Sequence, residues 1–226
     1  MPTIVITGAN RGIGLEFARQ YAEDGWTVIG TAREPGRARE LQATGAEVRG
    51  LDAADPASVN DFADALQGRA VDVLLHNAGF FGGQDQGFGQ VWDPGTWDAT
   101  MRTNAMAPLM LTQALVDNLM AGEQRRVPVL TSRMGSIADN GSGGYYVYRA
   151  SKAAANAVVK SMAEDLKARG IIATALHPGW VQTEMGGPNA MLTPAESAAN
   201  LRRVIAGMNV GYAGRFLNHD GQEIPW

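Results

Sequence analysis

Cysteine is absent from the 226 residues, so disulfides and thiolate metal sites are excluded and nothing in the chain calls for an oxidising compartment. Histidine is scarce. His76, His177 and His219 are the three present, and without ligand spacing or cysteine support they give no reason to expect a metal. Long apolar runs are missing too: stretches such as 71–75 fall far below the roughly 18 residues of a membrane span. The first seven residues lead straight into a strand-like run, without the basic segment, apolar stretch and cleavage site of a secretory signal. A soluble, cytoplasmic protein that does not enter membranes is expected. No basic excess exists either, since 19 Lys and Arg against 23 Asp and Glu leave a net charge of −4, which argues against a nucleic-acid binder working through a broad basic face. With 45% hydrophobic and 19% charged residues, the chain has the balance of a globular protein rather than of a disordered tail or a coiled coil.

Glycine, by contrast, is abundant: 28 of 226 residues, about 12%, against a usual frequency of roughly 7%. No collagen period accounts for it, so the excess serves backbone geometry. The length fits one domain spanning residues 1–226. Short β-branched runs at 3–7, 26–31, 46–51, 71–75, 126–131, 171–176 and 214–217 alternate with segments of helical period at 12–24, 56–66, 96–121, 146–169 and 194–207. Nearly continuous apolar strands separated by helices predict an α/β, single-domain Rossmann fold: a doubly wound parallel sheet of about seven strands with helices on both faces. Residues 80–95 and 180–193 escape this rhythm and are long enough to be lids, the second a substrate loop.

Immediately after the first strand comes Thr7-Gly8-Ala9-Asn10-Arg11-Gly12-Ile13-Gly14, a glycine-rich turn opening a helix, which is a dinucleotide-binding signature. Gly8 permits the turn, Gly12 lets a pyrophosphate approach the main chain, and Gly14 allows helix and strand to pack closely. The helix N-terminus supplies N–H donors and a positive dipole.

The spacing Gly-x-x-x-Gly-x-Gly resembles that of the short-chain dehydrogenase/reductase family. Further residues follow in family order: His76-Asn77-Ala78-Gly79 after the fourth strand, Asn104 within 96–121, Ser132 after the fifth, Tyr148-Arg149-Ala150-Ser151-Lys152, and Pro178-Gly179 after the sixth. The segments 177–187 and 220–226 are similar to the C-factor and sniffer-type carbonyl reductases. His76 replaces the first Asn of the usual Asn-Asn-Ala-Gly and reads better as a packed strand-end residue than as a site residue. The resemblance implies cofactor binding by Gly8, Asn10, Arg11, Gly12, Ile13, Gly14, Arg33, Asp52, Ala53, Asn77, Ala78, Gly79, Tyr148, Lys152, Pro178, Gly179, Val181 and Thr183, with Asp52 and Ala53 at the adenine and Thr183 with the Val181 backbone at the carboxamide.

Coenzyme choice turns on the end of the second strand, where a carboxylate would hold a ribose 2′-hydroxyl and a guanidinium a 2′-phosphate. Thr31-Ala32-Arg33 offers no acid there, and Arg11 joins Arg33; NADP(H) is expected. Tyr148 and Lys152, four residues apart, share one helix face, and a nearby ammonium favours the phenolate. Tyr148 is therefore expected to exchange the proton, with Ser132 as the donor to the substrate oxygen rather than Ser136. Asn104, mid-helix against its propensity, is expected in a relay holding water against Lys152. Tyr145 and Tyr146 lack a lysine four residues on and read as pocket walls.

Phe81, Trp92, Met134, Tyr146, Trp180, Met185 and Met191 form a candidate apolar wall, fitted to an uncharged aldehyde or ketone. Met101, Met106, Met110 and Met120 read as core or subunit interface. The expected activity is NADPH-dependent reduction of a small-molecule carbonyl to an alcohol; the alternative is a nucleotide-bound, C-factor-like signalling protein with little turnover. A homodimer or homotetramer is expected through the helices at 96–121 and 146–169, the pair many relatives use.

Overall fold

The computed structural model describes residues 1–83, 87–90 and 93–226. Seven strands form one sheet: β1 (Thr3–Ile6), β2 (Thr27–Ala32), β3 (Glu47–Gly50), β4 (Val73–Leu75), β5 (Arg126–Leu130), β6 (Ile172–His177) and β7 (Phe216–Asn218). All pairings between them are parallel, in the order β3-β2-β1-β4-β5-β6-β7. The order reverses beside β1, so β1 and β4 diverge at their carboxyl ends into the crevice where such sheets take ligands.

The helices are α1 (Gly12–Glu23), α2 (Arg39–Ala43), α3 (Pro56–Ala65), α4 (Pro94–Met101), α5 (Ala107–Ala114), α6 (Val116–Ala121), α7 (Tyr146–Leu166) and α8 (Pro194–Ala206). Alternation along the strands divides the core between the two faces of the sheet. Ile4, Ile6, Val73 and Leu75 pack with Phe17 of α1, Leu41 of α2 and Leu201 of α8, whereas Val5 and Leu74 pack with Phe62 of α3, Leu111 of α5 and Val159 of α7.

Two departures from regularity matter for the site. The β4–β5 pairing is carried by Asp72, His76 and their partners, with Arg126 N–H donating to the Asp72 carbonyl and Leu130 N–H to that of His76. Between them the donor position is Pro128, which has no N–H to give. The segment expected as one helix over 96–121 is instead interrupted: Arg102–Met106 is a π-helical turn and α5 ends at Ala114, with Leu115 as its C-cap. Pro108 explains the first interruption, because it lacks the N–H that an α-helix would direct at the Asn104 carbonyl four residues back, and its ring crowds that carbonyl.

Candidate active site

Tyr148 and Lys152 lie one turn apart on the buried face of α7. Ser132, at the end of β5, reaches them because the chain turns at once into a 3-10 turn, Arg133–Gly135, whose first free N–H, from Met134, donates to Ser132 Oγ at 3.1 Å. This turn sits directly on α7: a Cβ at Gly135 would fall 2.7 Å from the Lys152 carbonyl carbon, so only glycine lets the two backbones approach. Ser132 lies close enough to the Tyr148 hydroxyl to favour its ionised form. Ser136 is engaged elsewhere, donating to the Pro225 carbonyl at 2.6 Å.

Burial governs the electrostatics. Tyr148 is 7% exposed, and desolvation pushes its phenol up to about 12, with the Ser132 hydroxyl pulling the other way. Lys152 is 4% exposed, and loss of hydration brings its ammonium down to about 8. Its Nζ donates to the Leu130 carbonyl at 3.0 Å and stands 5.7 Å from the Tyr148 ring centroid.

Asn104 enters from the π-helical turn. Its side chain accepts from Phe80 N–H at 2.8 Å and donates to the Phe80 carbonyl at 2.8 Å and to Ser151 Oγ at 2.9 Å; Ser151 Oγ donates in turn to the Tyr148 carbonyl. Asn104 thus fastens the chain leaving β4 to the helix carrying Tyr148. Between them, the bare α-carbon of Gly79 leaves a gap whose Cβ position lies 3.5 Å from Asn104 Oδ1 and 3.6 Å from Lys152 Nζ.

The glycine turn adjoins this group. Gly8 and Gly12 have φ of +63° and +55°, left-handed values that disfavour a side chain. A Cβ on Gly14 would fall 2.4 Å from Asn77 Nδ2 and 2.5 Å from the Gly8 carbonyl oxygen, the close packing expected of the third glycine. Asn77 donates through Nδ2 to the Thr7 and Gly8 carbonyls, while Thr7 Oγ1 accepts from the N–H groups of Asn77 and Ala78. α3, α4 and α8 begin with side-chain caps, but α1 has none, leaving its first N–H groups for another acceptor. Asn10 and Ile13 belong to the same turn and helix start. Pro178 and Gly179 follow β6, and the chain beyond closes on itself through the Val181–Leu192 bridge, which gives the expected substrate loop a fixed base. Thr183 borders Gly12 across the cleft.

At the β2 edge, Arg33 and Asp52 line a recess of about 420 Å³ with Arg49, Asp55, Ser58 and Asp61. Asp52 accepts from Ala54 N–H at 3.0 Å, closing a turn, and Ala53 sits beside it, half-buried. Arg33 is exposed and has no ion pair among the described residues. Arg11, expected to join it, is paired with Glu184 of the loop after β6.

Residues 2–191 match the short chain dehydrogenase family. The chain belongs to that family. The C-signal of Myxococcus xanthus is 47% identical over 156 residues, covering 69% of this chain and 93% of that protein. Among solved structures, the carbonyl reductase Sniffer of D. melanogaster has a TM-score of 0.91 at 29% identity over 100% of both chains. An NADPH-bound carbonyl reductase from chicken fatty liver has a TM-score of 0.90 at 30% identity, covering 100% of this chain and 99% of that one.

In this short-chain dehydrogenase His76 is a packing residue. It is buried, its Nε2 lies 2.9 Å from Thr112 Oγ1, and desolvation lowers its pKa to about 3. Of the expected apolar wall, Phe81 lies against Tyr148, ring centroids 4.8 Å apart. Met134 is half-buried, whereas Tyr146, Trp180, Met185 and Met191 are exposed; Trp92 lies outside the described residues. Met110 and Met120 pack against the core. Sequence reasoning passed over Thr7, Ser151 and Arg149. The first two stand inside motifs already singled out and had no separate signal. Arg149 is signalled only by its place beside Tyr148; it donates to the Met134 carbonyl at 3.3 Å and to Ser142 Oγ at 2.9 Å.

Proposed function

We propose that the protein is an NADP(H)-dependent carbonyl reductase that takes an uncharged aldehyde or ketone to the alcohol. The observation that carries this reading is the buried group Ser132, Tyr148 and Lys152: a phenol beside a hydroxyl, one helical turn from an ammonium. Burying two ionisable groups is costly and marks a working site more often than a scaffold. That speaks against a signalling protein with little turnover, despite the likeness to C-signal.

The residues present fit a dinucleotide. Two left-handed glycines, an uncapped helix start and a cradle that a Cβ on Gly12 would fill against Thr183 suit a pyrophosphate. Gly8, Asn10, Gly12, Ile13 and Gly14 would hold it, Asp52 and Ala53 the adenine, Asn77, Ala78 and Gly79 the adjoining ribose side, and Lys152 the nicotinamide ribose. Pro178, Gly179, Val181 and Thr183 would hold the carboxamide. Since Glu184 engages Arg11, Arg33 carries most of the discrimination for a 2′-phosphate. The bound coenzyme supplies the hydride.

The chain's own residues manage the oxygen. Ser132 and Tyr148 donate to the carbonyl oxygen as negative charge develops on it. Tyr148 then gives up its proton, a downhill transfer even from a phenol raised to about 12, because an alkoxide is far more basic than a phenolate. The Lys152 ammonium steadies the phenolate and, with its pKa lowered to about 8, returns a proton readily at neutral pH. Asn104 holds the relay side of Lys152.

The test follows coenzyme absorbance across a panel of uncharged aldehydes and ketones, with NADPH and NADH compared. NADPH should bind at least about tenfold tighter, a difference of roughly 1.4 kcal/mol, and be consumed by some of the panel. Preference for NADH, or no consumption with any carbonyl, would contradict the reading.

A further inference from the structure

Tyr145 has φ +51° and ψ +40° at the N-cap of α7, a left-handed conformation. For a bulky aromatic residue this is a genuine outlier, of the kind retained where surrounding structure enforces it. The enforcing structure is visible. Gly143 and Gly144, both at φ +64°, bring the chain into the helix. Gly143 N–H donates to Asn140 Oδ1 at 3.1 Å, Arg149 holds Ser142, and Arg149 N–H donates to the Tyr145 carbonyl at 2.8 Å. These residues belong to the stretch between Ser132 and Tyr148.

The strained backbone places the Tyr145 ring 5.9 Å from that of Phe81, which also lies against Tyr148 at 4.8 Å. The three rings form a stair from Tyr148, 7% exposed, to Tyr145, 42% exposed. The middle step is fixed as firmly as the outer one: Asn104 holds both main-chain polar groups of Phe80, and Gly82 passes so close to Thr100 that a Cβ would fall 2.7 Å from its Oγ1. Charged side chains on the flanking segment are engaged within the protein, Arg133 with Asp139 and Arg149 with Met134 and Ser142. Beside these engaged side chains the aromatic rings make a preformed apolar wall.

We propose that Phe81 and Tyr145 are specificity-determining residues that select a flat, uncharged aryl carbonyl, its ring lying along this wall while its oxygen meets Ser132 and Tyr148. The inference rests on the carbonyl reductase reading and narrows it to a substrate class. Aromatic rings gain from one another beyond the area they bury, so flatness itself should be recognised.

Two ketones of matched size isolate that property: phenyl methyl ketone and cyclohexyl methyl ketone. The wild-type protein with NADPH should favour the phenyl compound in kcat/KM by about threefold to tenfold, mostly through KM. Tyr145→Gly removes the ring and suits the left-handed backbone, so its thermal midpoint should not fall, while the preference shrinks to within about twofold of unity. Tyr145→Phe should keep the preference, since the ring rather than the hydroxyl supplies it. Equal use of both ketones by the wild type, or an undiminished preference in Tyr145→Gly, would overturn the inference and leave the reductase reading standing. Reduction of neither ketone, nor of any other carbonyl, would overturn both.

Discussion

Lys152 combines a charged head, 4% exposure and a hydrogen bond to the Leu130 carbonyl, so its protonation is linked to folding. Burial lowers its pKa from 10.5 to about 8. Between these values the unfolded chain still holds a proton that the folded chain has released, so this residue's contribution makes stability rise with pH across that window. Tyr148 acts in the opposite sense at higher pH. Its pKa is raised from 10.0 to about 12, so the folded chain keeps a proton the unfolded chain has lost, and stability falls as pH rises between them. Urea unfolding of wild type and Lys152→Met at pH 7 and pH 10 should therefore show the variant's relative stability decline by roughly 3 kcal/mol at the higher pH. A pH-independent difference would mean that Lys152 is not buried as a charge. At this scale the sequence was informative where spacing fixes a position, as for Tyr148 and Lys152 one turn apart on α7 and for the close packing at Gly14. It was silent where a role comes from distant partners: nothing near Arg11 in the chain announces Glu184, which arrives from the loop after β6.

The π-helical turn Arg102–Met106 is the element on which the site's geometry depends. It presents Asn104 to Phe80 and Ser151 at once, three hydrogen bonds from one amide. Asn104→Ala leaves the Phe80 N–H and carbonyl without these partners, at a cost of about 1–3 kcal/mol, measurable by urea unfolding. It should also lower carbonyl turnover more than coenzyme affinity, because the chain beside Gly79 loosens next to Lys152. Unchanged stability and turnover would remove Asn104 from the site. Strand positions were legible because short apolar runs bounded by helical periods admit few alternatives. The interruption within 96–121 was not, because periodicity reports which face a residue occupies and not whether its N–H has a partner; Pro108 held the signal. α2, Arg39–Ala43, was missed because five residues are too few to display a period.

On the scale of the whole molecule, the sheet order and its two core layers place every segment of the site at the carboxyl ends of the strands, which is why motifs far apart in sequence converge. The fold class was legible for the same reason the strands were, and the long loops were recognised as exceptions, though not the closure of the second through Val181 and Leu192. The helices within 96–121, among them α4 with Trp97 38% exposed, and α7 remain the ones expected to meet a second copy, so light scattering should find a dimer or tetramer rather than a 24.0 kDa particle. A monomer at micromolar concentration would reject that assembly without touching the chemistry. The chemistry is tested most directly by the rate at which Tyr148→Phe oxidises NADPH with a carbonyl that the wild type reduces, Tyr146→Phe serving as the control on the neighbouring phenol. The ring is retained, so NADPH affinity should be nearly unchanged, while kcat should fall at least about a hundredfold, within the usual worth of a general acid. Near-wild-type turnover by Tyr148→Phe would contradict the account.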